Sequence, residues 1–155
     1  IKLGKIHWKS TDSTETILEH QKRNAKSTIN KHFFRLDGFI LNDTINYDKD
    51  ACRNLSFKDV KELFKKCEFS NEDIECIIEW VGNLKETLSN LPVNIYGPSI
   101  LIIKSQTNLN IKLIDFATYE LVNEDSTEEE NLMEMHNDIL LSLNAISNIL
   151  QKLQK

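Results

Sequence analysis

The sequence predicts an α+β fold, an antiparallel sheet flanked by helices, formed as a single domain over residues 1–155. Two apolar strand-like runs flank a turn-prone segment, which is the pattern of a β-hairpin. Three other segments repeat apolar residues at helical spacing, and strands and helices are interleaved without the regular βαβ alternation of a parallel sheet. A chain of 155 residues is long enough for one domain with a substantial core, whereas two domains would each be thin.

Strand-like and helical patterns alternate in the first 41 residues. "IKLGKIHW" (1–8) alternates apolar residues around Gly4, which predicts a strand with a glycine irregularity. Residues 10–28 begin with Ser and Thr caps and contain few apolar side chains, so they predict an exposed helix. Its basic end is formed by Lys22, Arg23 and Lys26. "FFRLDGFIL" (33–41) combines aromatic and branched residues and predicts a further strand.

Two helical segments follow a polar loop at residues 42–54. Ser56, with Asp59 three residues later, is placed to cap the first helix, and Ser70 is placed to cap the second. Apolar stripes at helical spacing predict that both helices contribute to the core. The stripes consist of Val60, Leu63, Phe64 and Cys67 in the first helix and Ile74, Ile77, Ile78, Val81, Leu84 and Leu88 in the second. Pro92 ends the second helix.

A hairpin and a long helix complete the chain. "SILIIKS" (99–105) and "IKLIDF" (111–116) flank the turn-prone "QTNLN" (106–110), which predicts a β-hairpin with a five-residue loop. Ser126 and Glu129 then form a capping box that opens the last helix. Its apolar face consists of Leu132, Met135, Ile139, Leu143, Ile146, Leu150 and Leu153.

Composition excludes several classes of protein. The formal net charge of −5 argues against a general nucleic-acid binder, although it leaves room for a local basic pocket. The three cysteines, Cys52, Cys67 and Cys76, form no CxxC pair, so neither a disulfide framework nor a structural zinc site is expected. No apolar run approaches the roughly 20 residues that span a bilayer, and no signal peptide is recognisable. We therefore expect an intracellular protein, cytoplasmic or nuclear, without a membrane partner.

Asp115 is a charged residue at the end of an otherwise apolar strand. The period of two places Ile111, Leu113 and Asp115 on one face, so this carboxylate follows core residues. It must find hydrogen-bond donors, a cation or water, because burying it unpaired would be unfavourable. A turn or capping aspartate satisfies this requirement, and so does a ligand of Mg²⁺ bound to nucleotide phosphates. Periodicity alone does not decide between the two.

Four short motifs occur in order along the chain. They are "IKLG" (1–4), "FFRLDGFIL" (33–41), "DKDACRNLS" (48–56), and the hairpin "YGPSILIIKS" with "IKLIDFA" (96–117). They resemble, in turn, four motifs of the inositol polyphosphate kinases: the end of P-x-x-x-D-x-K-x-G, the Gly-Phe-Arg strand, the Asp-Lys-x-Tyr-Gly-Arg-x-Leu-Ser segment and the Ile-Asp-Phe-Ala hairpin. The resemblance covers essentially the whole chain. It implies the C-terminal lobe of a two-lobe fold that is similar to protein kinases and ATP-grasp enzymes.

The resemblance implies an enzyme that uses ATP and Mg²⁺ to phosphorylate a soluble inositol polyphosphate. Asp115 would be the Mg²⁺ ligand and Ser99 would line the nucleotide site beside it. Lys2 would contact the substrate and the transferring group, which makes Lys2 and Asp115 the catalytic pair. The substrate phosphates would be held by Lys26, Lys49 and Arg53. Phosphoryl transfer requires charge neutralisation and alignment, which Lys and Arg supply.

The chain also departs from the family pattern. Two features of the family are not in this sequence: the motif aspartate that would precede Ile1, and the N-terminal lobe. We therefore expect the 155 residues alone not to catalyse phosphoryl transfer. Thr118 replaces a family His or Lys, and Ala51-Cys52 replaces Tyr-Gly. The short segment between Gly4 and Phe33 favours a multikinase or hexakisphosphate kinase over a trisphosphate 3-kinase. Substrate-binding helical segments are expected at residues 10–32 and 47–90.

Two other interpretations stay open. A diverged, non-catalytic domain could bind inositol phosphates or a protein partner, which the changed residue Thr118 would allow. A helical scaffold with a small sheet would require the motif order to be coincidence. Without the resemblance, Lys49 and Arg53 would be read as a solvated loop before a helix, and His136 as a surface histidine. We expect a monomer.

Overall fold

A computed structural model of the protein describes residues 1–9, 11–42, 44–116, 118–121 and 129–154, with side chains in the last range from residue 137 onward. The predicted capping box at Ser126 and Glu129 lies outside this description. So do the side chains of Leu132, Met135 and His136.

Helices occupy much of the chain. Their bounds are α1 Thr14–Ala25, α2 Ile29–His32, α3 Lys49–Arg53, α4 Phe57–Lys66, α5 Asn71–Ser89 and α6 Glu129–Gln151. Among the described residues, no helix is both long and apolar enough to cross a membrane.

The strands are short except in the hairpin. Their bounds are β1 Lys2–Leu3, β2 Phe34–Arg35, β3 Phe39–Leu41, β4 Ile45–Tyr47, β5 Val93–Ile95, β6 Ser99–Lys104, β7 Leu109–Ile114 and β8 Tyr119–Leu121. In the described part of the chain, the largest sheet has the strand order β2-β1-β6-β7, and two smaller sheets pair β3 with β4 and β5 with β8. All of the pairings are antiparallel, which confirms the predicted α+β class.

The register of the large sheet places one row of residues side by side. Lys2 is paired with Arg35 on one side and with Ser99 on the other, and Ser99 is paired with Ile114. Cross-strand partners point to the same face of a sheet. Arg35, Lys2 and Ser99 therefore share one face, next to the end of β7.

The opposite face of this sheet packs on the core. Leu3, Phe34 and Ile100 are each 1% exposed or less. They meet the predicted apolar stripes of α4, α5 and α6. Most of the described stripe residues are buried, and four are half-buried: Cys67, Ile78, Leu84 and Leu153. The buried stripe residues are Val60, Leu63, Phe64, Ile74, Ile77, Val81, Leu88, Ile139, Leu143, Ile146 and Leu150. Burial of a Leu, Ile or Phe side chain contributes about 1.5–3 kcal/mol each, so this layer holds the sheet in place.

The predicted caps of the two middle helices are confirmed. Ser56 and Asp59 form a reciprocal capping box at the start of α4, and Ser70 and Asp73 form another at the start of α5. Each box satisfies backbone donors that a helix N-terminus leaves unpaired. The start of α1 is capped by Ser13, which accepts from the backbone N–H of Thr16.

Four sequence predictions of local structure need correction. Residues 33–41, predicted as one strand, form β2 and β3, which belong to different sheets. The first strand ends at Leu3, because Gly4 takes a left-handed φ of +70°. Residues 42–54, predicted as a polar loop, contain β4 and α3. The hairpin loop is residues 105–108, one residue shorter than predicted, since Leu109 already pairs with Lys104.

Candidate active site

A cavity of about 330 Å³ opens on the polar face of the large sheet. It lies near the lower end of the usual range for small-molecule sites, about 300–1,000 Å³. Its lining consists of Lys2, His7, His20, Arg23, Asn24, Arg35, Asp37, Lys49, Arg53, Tyr96, Asp115 and Thr118. Five of these residues are Lys or Arg and two are Asp. The protein carries a net charge of −5, so this local positive excess is a distinct feature of the cavity.

Lys2 lies at the centre of the site because β1 is between β2 and β6. Its Nζ atom is 3.5 Å from Oδ2 of Asp115, and its side chain is only 16% exposed. Burial lowers the pKa of Lys2 from its usual value, while the carboxylates of Asp115 and Asp37 oppose that change. A lysine that is held in this way places a positive charge in the cavity at the edge of the sheet.

Asp115 is the first residue after β7, and its φ of +60° turns the chain out of the strand. The alternation predicted from the sequence, which placed Asp115 with Ile111 and Leu113, therefore does not extend to it. Its Oδ2 atom instead accepts a hydrogen bond from Oγ of Ser99 at 3.2 Å, besides its contact with Lys2. The side chain is 60% exposed, so the carboxylate is both oriented and accessible.

An ion pair between buried Arg35 and half-buried Asp37 lies in the cavity lining. Nε of Arg35 donates to Oδ1 of Asp37 at 2.6 Å, and Nη1 of Arg35 donates to Oδ1 of Asn24 at 2.7 Å. Nζ of Lys49 lies 3.8 Å from the other oxygen of Asp37. Burial alone would raise the pKa of Asp37, but the hydrogen bond and charge of Arg35, with the charges of Lys49 and Lys2, hold the pKa below its usual value. Asp37 is therefore ionised at neutral pH.

Arg53 has a buried donor that is not paired within the described residues. It ends α3, whose N-terminus is capped by Asp48, and its Nη1 atom donates to Oδ1 of Asp50 at 2.8 Å. Its Nε atom is buried and has no hydrogen-bond partner among the described residues. An unsatisfied buried donor is unfavourable, so an anionic ligand that reaches this nitrogen gains a charge-assisted hydrogen bond.

Two histidines, His7 and His20, also line the cavity. Nε2 of His7 lies 2.7 Å from the carbonyl oxygen of Gly4 and donates to it, because a carbonyl can only accept. Burial, with the charges of Arg35 and Lys2, lowers the pKa of His7 to about 3. Burial also lowers the pKa of His20. His7 is therefore neutral at physiological pH.

Ser142 of α6 connects the two strands that carry the cations. Its Oγ accepts from the backbone N–H of Gly4 at 2.9 Å and lies 2.5 Å from the carbonyl oxygen of Phe33, to which it can donate. Gly4 follows β1 and Phe33 precedes β2, so this buried hydroxyl fixes the spacing of the segments that hold Lys2 and Arg35.

The structure brings most of the sequence-predicted site residues together. Lys2, Lys49, Arg53 and Asp115 all line the cavity, and Ser99 adjoins it through Asp115. Lys26 is at the exposed C-cap of α1 and is not among the lining residues. Its predicted contact with substrate phosphates stays a prediction that this placement does not favour.

Sequence reasoning did not assign Asp37, Asn24, His7, His20 or Tyr96 to the site. Asp37 falls within a recognised motif, two residues after Arg35, and that spacing was the one available signal. The others come from helix α1 and from loops, and only tertiary packing brings them to the cavity.

The carboxylate of Asp115 fits the requirements of a nucleotide-bound divalent cation. Among the residues that the structure describes, no group of three or more His, Cys, Asp or Glu side chains is placed to hold a metal ion. Mg²⁺ commonly takes only one or two protein carboxylates and completes its shell with water and substrate phosphates. An accessible carboxylate beside a cationic cavity is compatible with that mode of binding.

The sequence and the fold were compared with known proteins. The model of the inositol polyphosphate kinase family matches residues 1–151. A search of curated proteins gives no match. A solved structure from "Structural Studies and Protein Engineering of Inositol Phosphate Multikinase" is similar with a TM-score of 0.79 at 19% identity, covering 97% of this chain and 76% of that chain. Inositol phosphate multikinase Ipk2 from S. cerevisiae, in complex with ADP and Mn²⁺, has a TM-score of 0.71 at 15% identity, covering 97% and 75%. These identities show a shared fold.

Proposed function

The chain belongs to the inositol polyphosphate kinase family, and from this premise we propose that it transfers the γ-phosphoryl group of ATP to a soluble inositol polyphosphate in the presence of Mg²⁺. One observation supports this proposal above all: a cavity with five cationic side chains lies directly beside an oriented, accessible carboxylate. A compact polyanion suits the cavity, and a metal–nucleotide complex suits the carboxylate.

The proposed roles follow from charge and position. Phosphoryl transfer depends mainly on alignment and on neutralisation of developing charge. Lys2 lies between Asp115 and the Arg35–Asp37 pair, so it can contact the transferring group and the substrate together. Arg53 and Lys49 are placed to bind substrate phosphates, because both line the cavity.

Asp115 is the residue that would hold Mg²⁺. When bound, the metal would neutralise charge on the nucleotide phosphates. Ser99 holds the Asp115 carboxylate in place through its hydroxyl hydrogen bond. The neighbouring fold of Ipk2 was solved with ADP and Mn²⁺, which supports a nucleotide and a divalent metal in this type of fold.

We further propose that the chain forms the C-terminal lobe of the kinase fold and that its enzyme is of the multikinase or hexakisphosphate kinase type. Residues 10–32 and 47–90 would supply the substrate-binding helical segments. Within them, Arg23 and Asn24 of α1 and Lys49 and Arg53 of α3 line the cavity. A monomer located in the cytoplasm or nucleus stays our expectation.

Calorimetry with the full-length protein distinguishes an enzyme from a binding domain. We expect both an inositol polyphosphate and Mg·ATP to bind, and we expect labelled phosphate to pass from ATP to the inositol ring. Binding of the inositol phosphate with no binding of Mg·ATP would support the non-catalytic alternative. Binding of neither ligand would contradict both functions.

A further inference from the structure

Asp37 has no role in the function proposed above. Two carboxylates line the cavity, and Asp115 is explained by a metal–nucleotide complex. Asp37 lies instead among the cations that would bind substrate phosphates. A carboxylate in that position repels a phosphate, so its presence there requires an explanation.

The geometry shows how strongly Asp37 affects the cations around it. Its Oδ1 atom engages Arg35 at 2.6 Å, and its Oδ2 atom lies 3.8 Å from Lys49. The side chain is 20% exposed and lines the cavity, so a bound ligand comes close to it. Arg35 is only 5% exposed and also donates to Asn24, which leaves little of its charge for a ligand.

The charges that remain free are therefore fewer than the count of cations suggests. His7 is neutral, and the Lys, Arg and Asp side chains of the lining are five positive and two negative. Arg23 has Glu19 within 3.8 Å and Arg53 has Asp50 within 2.8 Å. Such a site suits a ligand of moderate negative charge. Each added phosphate is repelled by the Asp37 carboxylate, and fewer cations without a carboxylate partner remain to bind it.

We propose that Asp37 is a specificity-determining residue that limits the charge of the substrate, so that the cavity selects less phosphorylated inositol phosphates over inositol hexakisphosphate. This inference rests on the proposed function. It argues against the hexakisphosphate kinase type named above, because inositol hexakisphosphate carries more negative charge than a less phosphorylated substrate. The ring hydroxyls of such a substrate can donate to Asp37, whereas a phosphate in the same place carries a charge of about −1.5 to −2 at pH 7 and is repelled by the carboxylate.

Asp37 could alternatively serve only as the counter-ion of Arg35. A buried guanidinium needs acceptors, and Asp37 supplies one. In that case its replacement would affect stability but would not change the preference between substrates. The ratio of two affinities, measured on one folded variant, separates these roles because a general structural loss affects both ligands alike.

The test compares the dissociation constants of inositol trisphosphate and inositol hexakisphosphate by calorimetry. In Asp37→Asn, which retains an acceptor for Arg35, we expect affinity for the hexakisphosphate to rise on the order of tenfold relative to the trisphosphate, because the ligand with more charge gains more. Asp37→Glu keeps the charge and should keep the wild-type ratio. Glu62→Gln removes one charge from exposed α4, outside the cavity lining, and should leave the ratio unchanged.

Circular dichroism and thermal unfolding verify that each variant is folded. Asp37→Ser is a second neutral variant whose hydroxyl can also accept from Arg35, and it should shift the ratio in the same direction. An unchanged ratio in folded Asp37→Asn or Asp37→Ser would overturn the inference and leave the kinase function intact. Failure of the wild-type protein to bind either ligand would instead contradict the proposed function.

Discussion

Arg53 differs from the other cations of the cavity because its buried Nε atom has no partner among the described residues. Lys2 and Arg35 are held by Asp115 and Asp37 respectively, so part of their charge is already used within the protein. Arg53 is also paired with Asp50 through Nη1, so what distinguishes it at the residue scale is the unpaired Nε donor, which a ligand that reaches it would satisfy.

Replacing Arg53 should weaken inositol phosphate binding far more than replacing Lys26. Arg53→Met keeps much of the aliphatic stem but removes the donor, and we expect a loss of about tenfold to a hundredfold in affinity, the range of a charged hydrogen bond. Lys26→Met removes an equal charge from the exposed end of α1, outside the lining, and should cost less than about threefold. Equal losses in both calorimetric titrations would contradict this assignment.

Single residues were predictable from the sequence where a motif fixed both type and position. The motif resemblance identifies four site residues that the fold brings to one cavity: Lys2, Lys49, Arg53 and Asp115. The left-handed conformation of Asp115 was not foreseen, since periodicity assumes that a strand continues.

The segment after β1 is the element on which the position of Lys2 depends. Residues 5–9 fold back so that His7 contacts the loop at Gly97, whose φ is +56°. A Cβ atom at Gly97 would lie 2.7 Å from Cδ2 of His7 and 2.9 Å from Cε of Lys2. Only glycine therefore allows this close approach.

Gly97→Ala should destabilise the protein and displace Lys2. The positive φ and the short contacts together should lower the free energy of unfolding by about 1–3 kcal/mol and reduce kinase activity. Gly82→Ala is the matched control, because nothing lies within 4 Å of its added Cβ in helix α5. It should stabilise by about 0.5–1 kcal/mol. Denaturant unfolding measures both changes. If the two variants changed the free energy of unfolding in the same direction, the result would contradict the account.

Elements with strong local signals were the easiest to predict. Helices α4 and α5 have capping boxes and apolar stripes, and both begin where their serines indicate. Strand β4 and helix α3 span only three and five residues within the mostly polar segment 42–54, and such a segment predicts a loop. Their formation depends on pairing with β3 and on packing, which a local pattern does not contain.

At the scale of the whole molecule, half-buried His7 links stability to pH. Its pKa is about 3 in the folded state, against a value of about 6.5 in an unfolded chain. Between these values the unfolded state binds more protons, so the free energy of unfolding must fall as pH is lowered. Above about pH 6.5 both states are neutral at this residue and the contribution is constant.

Unfolding at pH 7 and pH 5 tests this linkage. We expect the free energy of unfolding of wild type to fall by up to about 2 kcal/mol more than that of His7→Gln, since one proton contributes up to about 1.4 kcal/mol per pH unit. His32→Gln changes a histidine outside the cavity lining whose pKa is also lowered by burial, and its effect on the slope should be smaller. If the free energy of unfolding changed equally with pH in wild type and in His7→Gln, His7 would not be the source of the pH dependence.

The global architecture was predictable because the hairpin and the long helices determine it. The order β2-β1-β6-β7 was not, since the paired segments are far apart in sequence and β1 and β2 have two residues each. The position of the cavity follows from that order, which places Arg35, Lys2 and Ser99 in one row.

Transfer of labelled γ-phosphate from Mg·ATP to an inositol polyphosphate, measured for the full-length wild type and Asp115→Asn, tests the central claim most directly. Asparagine tolerates the left-handed φ at this position, so thermal stability should change little. We expect transfer by wild type and a loss of about 10²–10³-fold in Asp115→Asn, as when a single electrostatic group is removed from an active site. Glu86→Gln, an exposed change on α5, should retain activity. Full activity in Asp115→Asn would contradict the account.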